Sequence, residues 1–184
     1  YATTLYGVAL RPELPLNHFG YPYTGACEDD HHYGAFIFAL YLSENHGGAD
    51  IIHKSWTEAP SGADPLDVID DLLQTGGSRL NEAHHDYTMH NATWNYADEE
   101  NLEWFAEAYV EDCGDHRALG SLEASGEWAT PPQYAPRTFG ANYWRLGDLP
   151  EVFTVEFEGE PGVVWQLGIA SQSGSQHESL LLED

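Results

Sequence analysis

Positive charge is what this chain has least of. Lysine and arginine together number 6 against 31 Asp and Glu, giving a net charge of −25 over 184 residues. Lys54 is the only lysine. Phosphate contacts need clustered Lys and Arg, so nucleic acid is excluded as an expected partner, and anionic membrane surfaces with it. The carboxylates are scattered along the whole chain, so the charge belongs to a surface and not to a tail. Such a surface repels itself in dilute buffer and is tolerated best where salt screens it. A saline habitat is the first expectation. Binding of a divalent cation, calcium foremost, by local carboxylate clusters is its rival.

Long apolar runs are also missing. No stretch of about 18 apolar residues occurs, so membrane insertion is not expected. No leader pattern opens the chain at Tyr1; the expectation is a leader already removed, or a chain that is part of something longer. Glycine-rich phosphate loops are absent, and Ser171, Ser173 and Ser175 have no paired base in sequence. Cysteine is reduced to Cys27 and Cys113. An isolated pair reads as two buried thiols, a disulfide or half of a metal site. Both lie beside acidic loop-like sequence, where buried free thiols are uncommon, so a Cys27–Cys113 disulfide and an oxidising compartment are favoured.

What is present suffices for a core: 42% of residues are hydrophobic and 13% aromatic. A helix is expected from His31 to His46, apolar on all sides and stopped by Gly47-Gly48. A second runs from Ala49 to Glu58. A third starts sharply, with Asp64 as N-cap and Pro65 at the first helical position, and carries Leu66, Ile69, Leu72 and Leu73 on one stripe. In a fourth, from Ser78, Leu80, Ala83, His84, Tyr87, Asn91 and Trp94 recur at helical spacing. Glu99–Glu111 is a fifth, and a short helix precedes Arg11. The period then changes from 3.6 to 2. Strands are expected at Thr138–Leu146, at Val152–Glu158 with Phe153, Val155 and Phe157 on one face, at Val163–Ile169 and at Glu178–Leu182. The fold class is therefore α+β: a helical region over 1–115, a connection over 116–135, and an antiparallel, β-sandwich-like module over 136–184. So thin a module must lean on the helices or be cut short.

Candidate metal ligands come in two sets. Glu82, Asp86 and His90 are spaced i, i+4, i+8 on one helix face, a carboxylate–carboxylate–imidazole row suited to a divalent ion. Against that stands a plain solvated face. Glu28, Asp29 and Asp30 form the second set, where helix capping is the alternative and calcium the candidate ion. Asn91-Ala92-Thr93 is a formal glycosylation sequon lying within an expected helix. Trp128, Trp144 and Trp165 fall in or near the β module, where they fill core or stack on sugars.

Several segments, in order, resemble a known family. Leu10-Arg11-Pro12-Glu13-Leu14-Pro15-Leu16 is similar to a loop leading into a buried helix. His32-Tyr33-Gly34-Ala35-Phe36-Ile37-Phe38, Tyr41-Leu42-Ser43-Glu44, Ile51-Ile52 with Trp56, Ser78-Arg79-Leu80-Asn81-Glu82-Ala83, Trp94-Asn95-Tyr96 and Gly140-Ala141-Asn142-Tyr143-Trp144 follow. Together they resemble secreted zinc metallopeptidase-like proteins of the myxobacterial putative metalloprotease type, in the portion downstream of the zinc helix. The resemblance implies an extracellular or cell-surface location, and a cleft near His32 and Tyr33. It also implies a zinc site only in an upstream portion outside this chain. The motif His-Glu-x-x-His is missing: the nearest match, His177-Glu178, has Leu181 where the second histidine belongs. No catalytic residue is carried over. The expected partners are the upstream portion of the same precursor or copies of the chain itself. The alternative is a structural or adhesive component of a surface assembly, binding glycan or calcium.

Overall fold

The computed structural model describes residues 5–19, 31–98, 102, 118–123, 125–147 and 152–182. Among the described residues six helices come first: α1 (Tyr6–Leu10), α2 (His31–Gly34), α3 (Phe36–Asn45), α4 (Ala49–Thr57), α5 (Pro65–Thr75) and α6 (Leu80–Thr93). Four strands follow: β1 (Ala118–Leu122), β2 (Tyr143–Leu146), β3 (Leu167–Ser173) and β4 (Gln176–Leu182). The class is α+β, as the change of period predicts. The expected fifth helix over Glu99–Glu111 lies outside the described residues, apart from the buried Leu102.

Local chemistry explains the helices. At α5 the Asp64 carboxylate accepts the Leu66 N–H at 2.8 Å, and Pro65 occupies the first turn, where an N–H would have no partner. Gly47 and Gly48 stop α3 with φ of 105° and 71°, a region that costs other residues steric strain, and the chain reverses into α4. The expected single helix from His31 is broken at Ala35, where Phe38 N–H closes a tight turn on the Ala35 carbonyl at 3.1 Å. Gly34, with the weakest helix propensity after proline, stands just before the break.

Buried side chains of α1, α3, α4, α5 and α6 form one core around Leu5, Ile37, Phe38, Tyr41, Leu42 and Tyr87. Three connections lock the C-terminal half onto it. The Arg11–Leu16 loop clasps 137–141, with Arg137 N–H on the Glu13 carbonyl at 3.0 Å and Ala141 N–H on that of Pro12 at 2.8 Å. A side chain at Gly140 would run into the Glu13 carbonyl. Tyr143 Oη donates to the Thr88 carbonyl at 3.0 Å. Gly168 of β3 lies against Met89 and His85, where a Cβ would stand 2.7 Å from the Met89 sulfur.

The β region differs from expectation. β1 and β2 pair in parallel, Ala118 opposite Tyr143 and Leu122 opposite Leu146. β3 and β4 form an antiparallel hairpin, Leu167 opposite Leu182 and Ser173 opposite Gln176. Among the described residues these are two separate two-stranded sheets and not a sandwich. β1 falls inside the stretch expected as connection. Among the described residues the expected strand Val152–Glu158 joins no ladder, and Val163–Gln166 is likewise outside one.

Candidate functional site

Helix α6 carries most of the chemistry. Its inward stripe is Leu80, Ala83, His84, Tyr87 and Asn91, all buried. His84, on the stripe that recurs at helical spacing, is a core residue. Its ring meets Phe139 edge-on at 5.1 Å, with Tyr87 at 5.6 Å and Phe38 at 6.2 Å. Burial strips water from the charged form and, with the neighbouring His85, lowers its pKa to about 4. His31, 2% exposed, is lowered to about 4 in the same way, with further help from the charges of His18, Arg11 and His32.

Both neutral rings line a cavity of about 20 Å³, shared with Leu14, Tyr87, Asn91 and Tyr143. That volume holds about one water. It admits no substrate, so the cavity is a seam between the helices and the 137–143 segment. His31 faces it; His32 and Tyr33, the expected cleft residues, do not. They meet Phe19 in tilted ring contacts, at 4.5 Å for Phe19–His32 and 4.0 Å for His32–Tyr33.

A polar network joins α3 to α6. Tyr41, fully buried, donates to Asp86 Oδ2 at 2.8 Å, and His46 Nε2 lies 3.0 Å from the same phenol oxygen. The single phenol proton is committed to Asp86, so His46 Nε2 carries its own proton and donates it to Tyr41. His90 Nδ1 is 2.9 Å from the Asp86 backbone carbonyl, which makes that nitrogen the protonated one. Burial, with the Asp86 bond, holds the Tyr41 phenol well above its usual range, and burial lowers His46. Tyr41 therefore keeps its proton at neutral pH and acts as a latch, not as a base.

The metal row Glu82, Asp86, His90 is not gathered. Glu82 turns back to cap α6, accepting the Arg79 N–H at 3.0 Å, while Asp86 serves Tyr41 and His90 serves the helix carbonyl. Among the described residues no group of three or more His, Cys, Asp or Glu side chains is placed to hold a metal ion. Glu28, Asp29, Asp30, Cys27 and Cys113 lie outside the described residues. Asn91 is 5% exposed and accepts a bond from the Tyr96 hydroxyl, so a glycan there has no room in the folded chain. Among the described residues no helix is long and apolar enough to cross a membrane.

Exposed apolar surface concentrates in the β region. Val152 is 85% exposed and Val164 87%, and Phe153, Val155, Phe157, Val163, Leu180 and Leu181 are all exposed. Residues 152–165 form an exposed arm with a turn at Pro161-Gly162, where Val163 N–H meets the Glu160 carbonyl at 3.2 Å. Phe157 and Trp165 meet edge-on across it at 5.6 Å, and Trp165 Nε1 donates to the Glu160 carbonyl at 3.4 Å. Alternation was the signal for this segment in sequence. It marks a strand-forming segment but says nothing about which chain completes the ladder. No curated protein and no solved structure matches the chain. Residues 17–174 match the model of a family of unknown function (DUF6055), and the chain belongs to that family.

Proposed function

We propose that the chain is an extracellular, metallopeptidase-like binding module, non-catalytic by itself, whose β region docks a second polypeptide. One observation carries this reading: strand-patterned apolar side chains at 152–165 stand in water, in the stretch between β2 and β3, strands of sheets that have two strands each among the described residues. Contiguous exposed apolar surface of this kind marks interaction sites in folded proteins. The non-catalytic part rests on sequence, which has no His-Glu-x-x-His, and the extracellular part on the resemblance and the acidic surface. A second reading, docking of the upstream portion of the same precursor onto the helices, is favoured by the exposed rings of Phe19 and Tyr33, which flank His32.

The test is to replace Phe153, Val155 and Phe157 together by serine. If the arm is a docking surface, the folded chain barely notices: urea midpoint and far-UV circular dichroism stay put, as for exposed substitutions within about 0.5 kcal/mol each. If these side chains were core, the triple variant would lose several kcal/mol, and the docking reading would go with it.

A further inference from the structure

We infer that the arm accepts an added β-strand from a cationic polypeptide, one in which lysine or arginine alternates with apolar residues. This rests on the docking reading above and names its partner. The backbone comes first. Among the described residues, no backbone–backbone hydrogen bond joins 152–159 to any other segment. The row of N–H and C=O groups there is open to a strand from outside, the arrangement used when a peptide extends a sheet.

Side chains then set what the added strand must look like. In extended backbone Phe153, Val155 and Phe157 share one face, and Thr154, Glu156 and Glu158 the other. A strand laid alongside puts its own alternate residues level with these two faces, apolar beside apolar and charge beside Glu156 and Glu158. The arm also keeps a shape for the partner to meet, held by the Phe157–Trp165 contact and the Trp165–Glu160 bond.

Charge selects among occupants. From Leu146 to Asp184 the chain has no lysine or arginine, while Glu156, Glu158 and Glu160 punctuate the arm. A second copy would bring the same sign onto a body already at −25. An anionic strand would set like charges opposite one another, which destabilises a ladder. A cationic strand gains on both faces, and long-range attraction speeds its arrival.

The experiment titrates the full chain with three short labelled peptides and reads fluorescence anisotropy. One alternates valine and lysine, one alternates valine and glutamate, and one keeps the lysines but has serine for valine. The valine–lysine peptide is expected to bind at least roughly tenfold more tightly than the other two, and more weakly at 1 M than at 0.1 M NaCl. Thr154→Pro and Val155→Pro each remove an N–H from opposite edges of the arm. One of the two is expected to lose about tenfold in affinity with an unchanged melting temperature. Glu156→Lys with Glu158→Lys should move the preference to the valine–glutamate peptide. Equal binding of the serine–lysine peptide would reduce the effect to unspecific attraction and overturn the inference. So would full affinity in both proline variants, the absence of binding, or a salt-induced dimer that protects the arm. If the peptides fail while the triple serine variant stays folded, the partner class falls and the docking reading survives. If the triple variant unfolds, the docking reading itself falls.

Discussion

The Tyr41 hydroxyl donates to Asp86 Oδ2 at 2.8 Å, tying the middle of α3 to the middle of α6 across 45 residues of sequence. Tyr41 is also stacked near Phe38 and set edge-on to His90. Its ring fills core, and its oxygen reaches a carboxylate at the surface. Tyr41→Phe keeps the ring and deletes the bond. The expected cost is about 1–2 kcal/mol, the lower part of the range for a bond to a charged acceptor, because Asp86 is partly in water. A urea titration measures it; an unchanged midpoint would remove the latch role.

The histidine seam predicts an acid-sensitive fold. His31 and His84 have folded-state pKa values near 4, below the 6.5 of an unfolded chain. The unfolded state therefore binds protons first. Their contribution to stability is complete above pH 6.5, falls as pH drops, and levels off below about 4. At 1.36 kcal/mol per pH unit, the loss is on the order of 3 kcal/mol per ring at the acid limit. Melting temperature should fall from pH 7 to 5, and His84→Phe should flatten the slope. A profile that is flat over that range, or unaltered by His84→Phe, speaks against neutral buried rings.

The α5 cap supplies a local check. Asp64→Ala removes the acceptor of the Leu66 N–H and should cost about 1 kcal/mol. Asp64→Ser should recover most of it by thermal melting. A Ser variant no better than Ala would mean the cap contributes little.

What was legible in sequence follows the range of the interactions. α5 reads off residue by residue because its cap, its proline and its apolar stripe all act within a turn. His84 and Asn91 stand on the same stripe as Leu80 and Tyr87, so their burial was written in the spacing; their polarity argues for the other face. The parallel pairing of β1 with β2 depends on contacts across 123–142, and Ala118–Leu122 has no alternation to announce it. At Val152–Glu158 the pattern is right for a strand, but a strand needs a neighbour, and no pattern within one segment supplies that. The metal row is not drawn together for a related reason. Helical spacing aligns Glu82, Asp86 and His90 along the axis, but each finds a nearer local partner.

Salt should stabilise the chain. At −25, the fold confines like charges that the unfolded chain spreads apart. The Debye length shrinks from about 10 Å at 0.1 M to about 3 Å at 1 M. Melting temperature is expected to rise with NaCl over that range. Calcium at a few millimolar reproduces much of the rise if Glu28, Asp29 and Asp30 bind it. A melting temperature indifferent to both ions would leave the acidic composition without a stabilising medium.

Hydrogen–deuterium exchange of the isolated chain tests the docking arm most directly. Among the described residues the amides of Phe153–Glu158 make no ladder, so they should exchange at close to unfolded-chain rates, while those of the paired strands Leu167–Ser173 and Gln176–Leu182 are slowed. Adding the valine–lysine peptide should slow the arm and leave the rest unchanged. Amides of Phe153–Glu158 as protected in the isolated chain as those of β3 and β4 would show that the arm is already paired and contradict the claim that it waits for a partner.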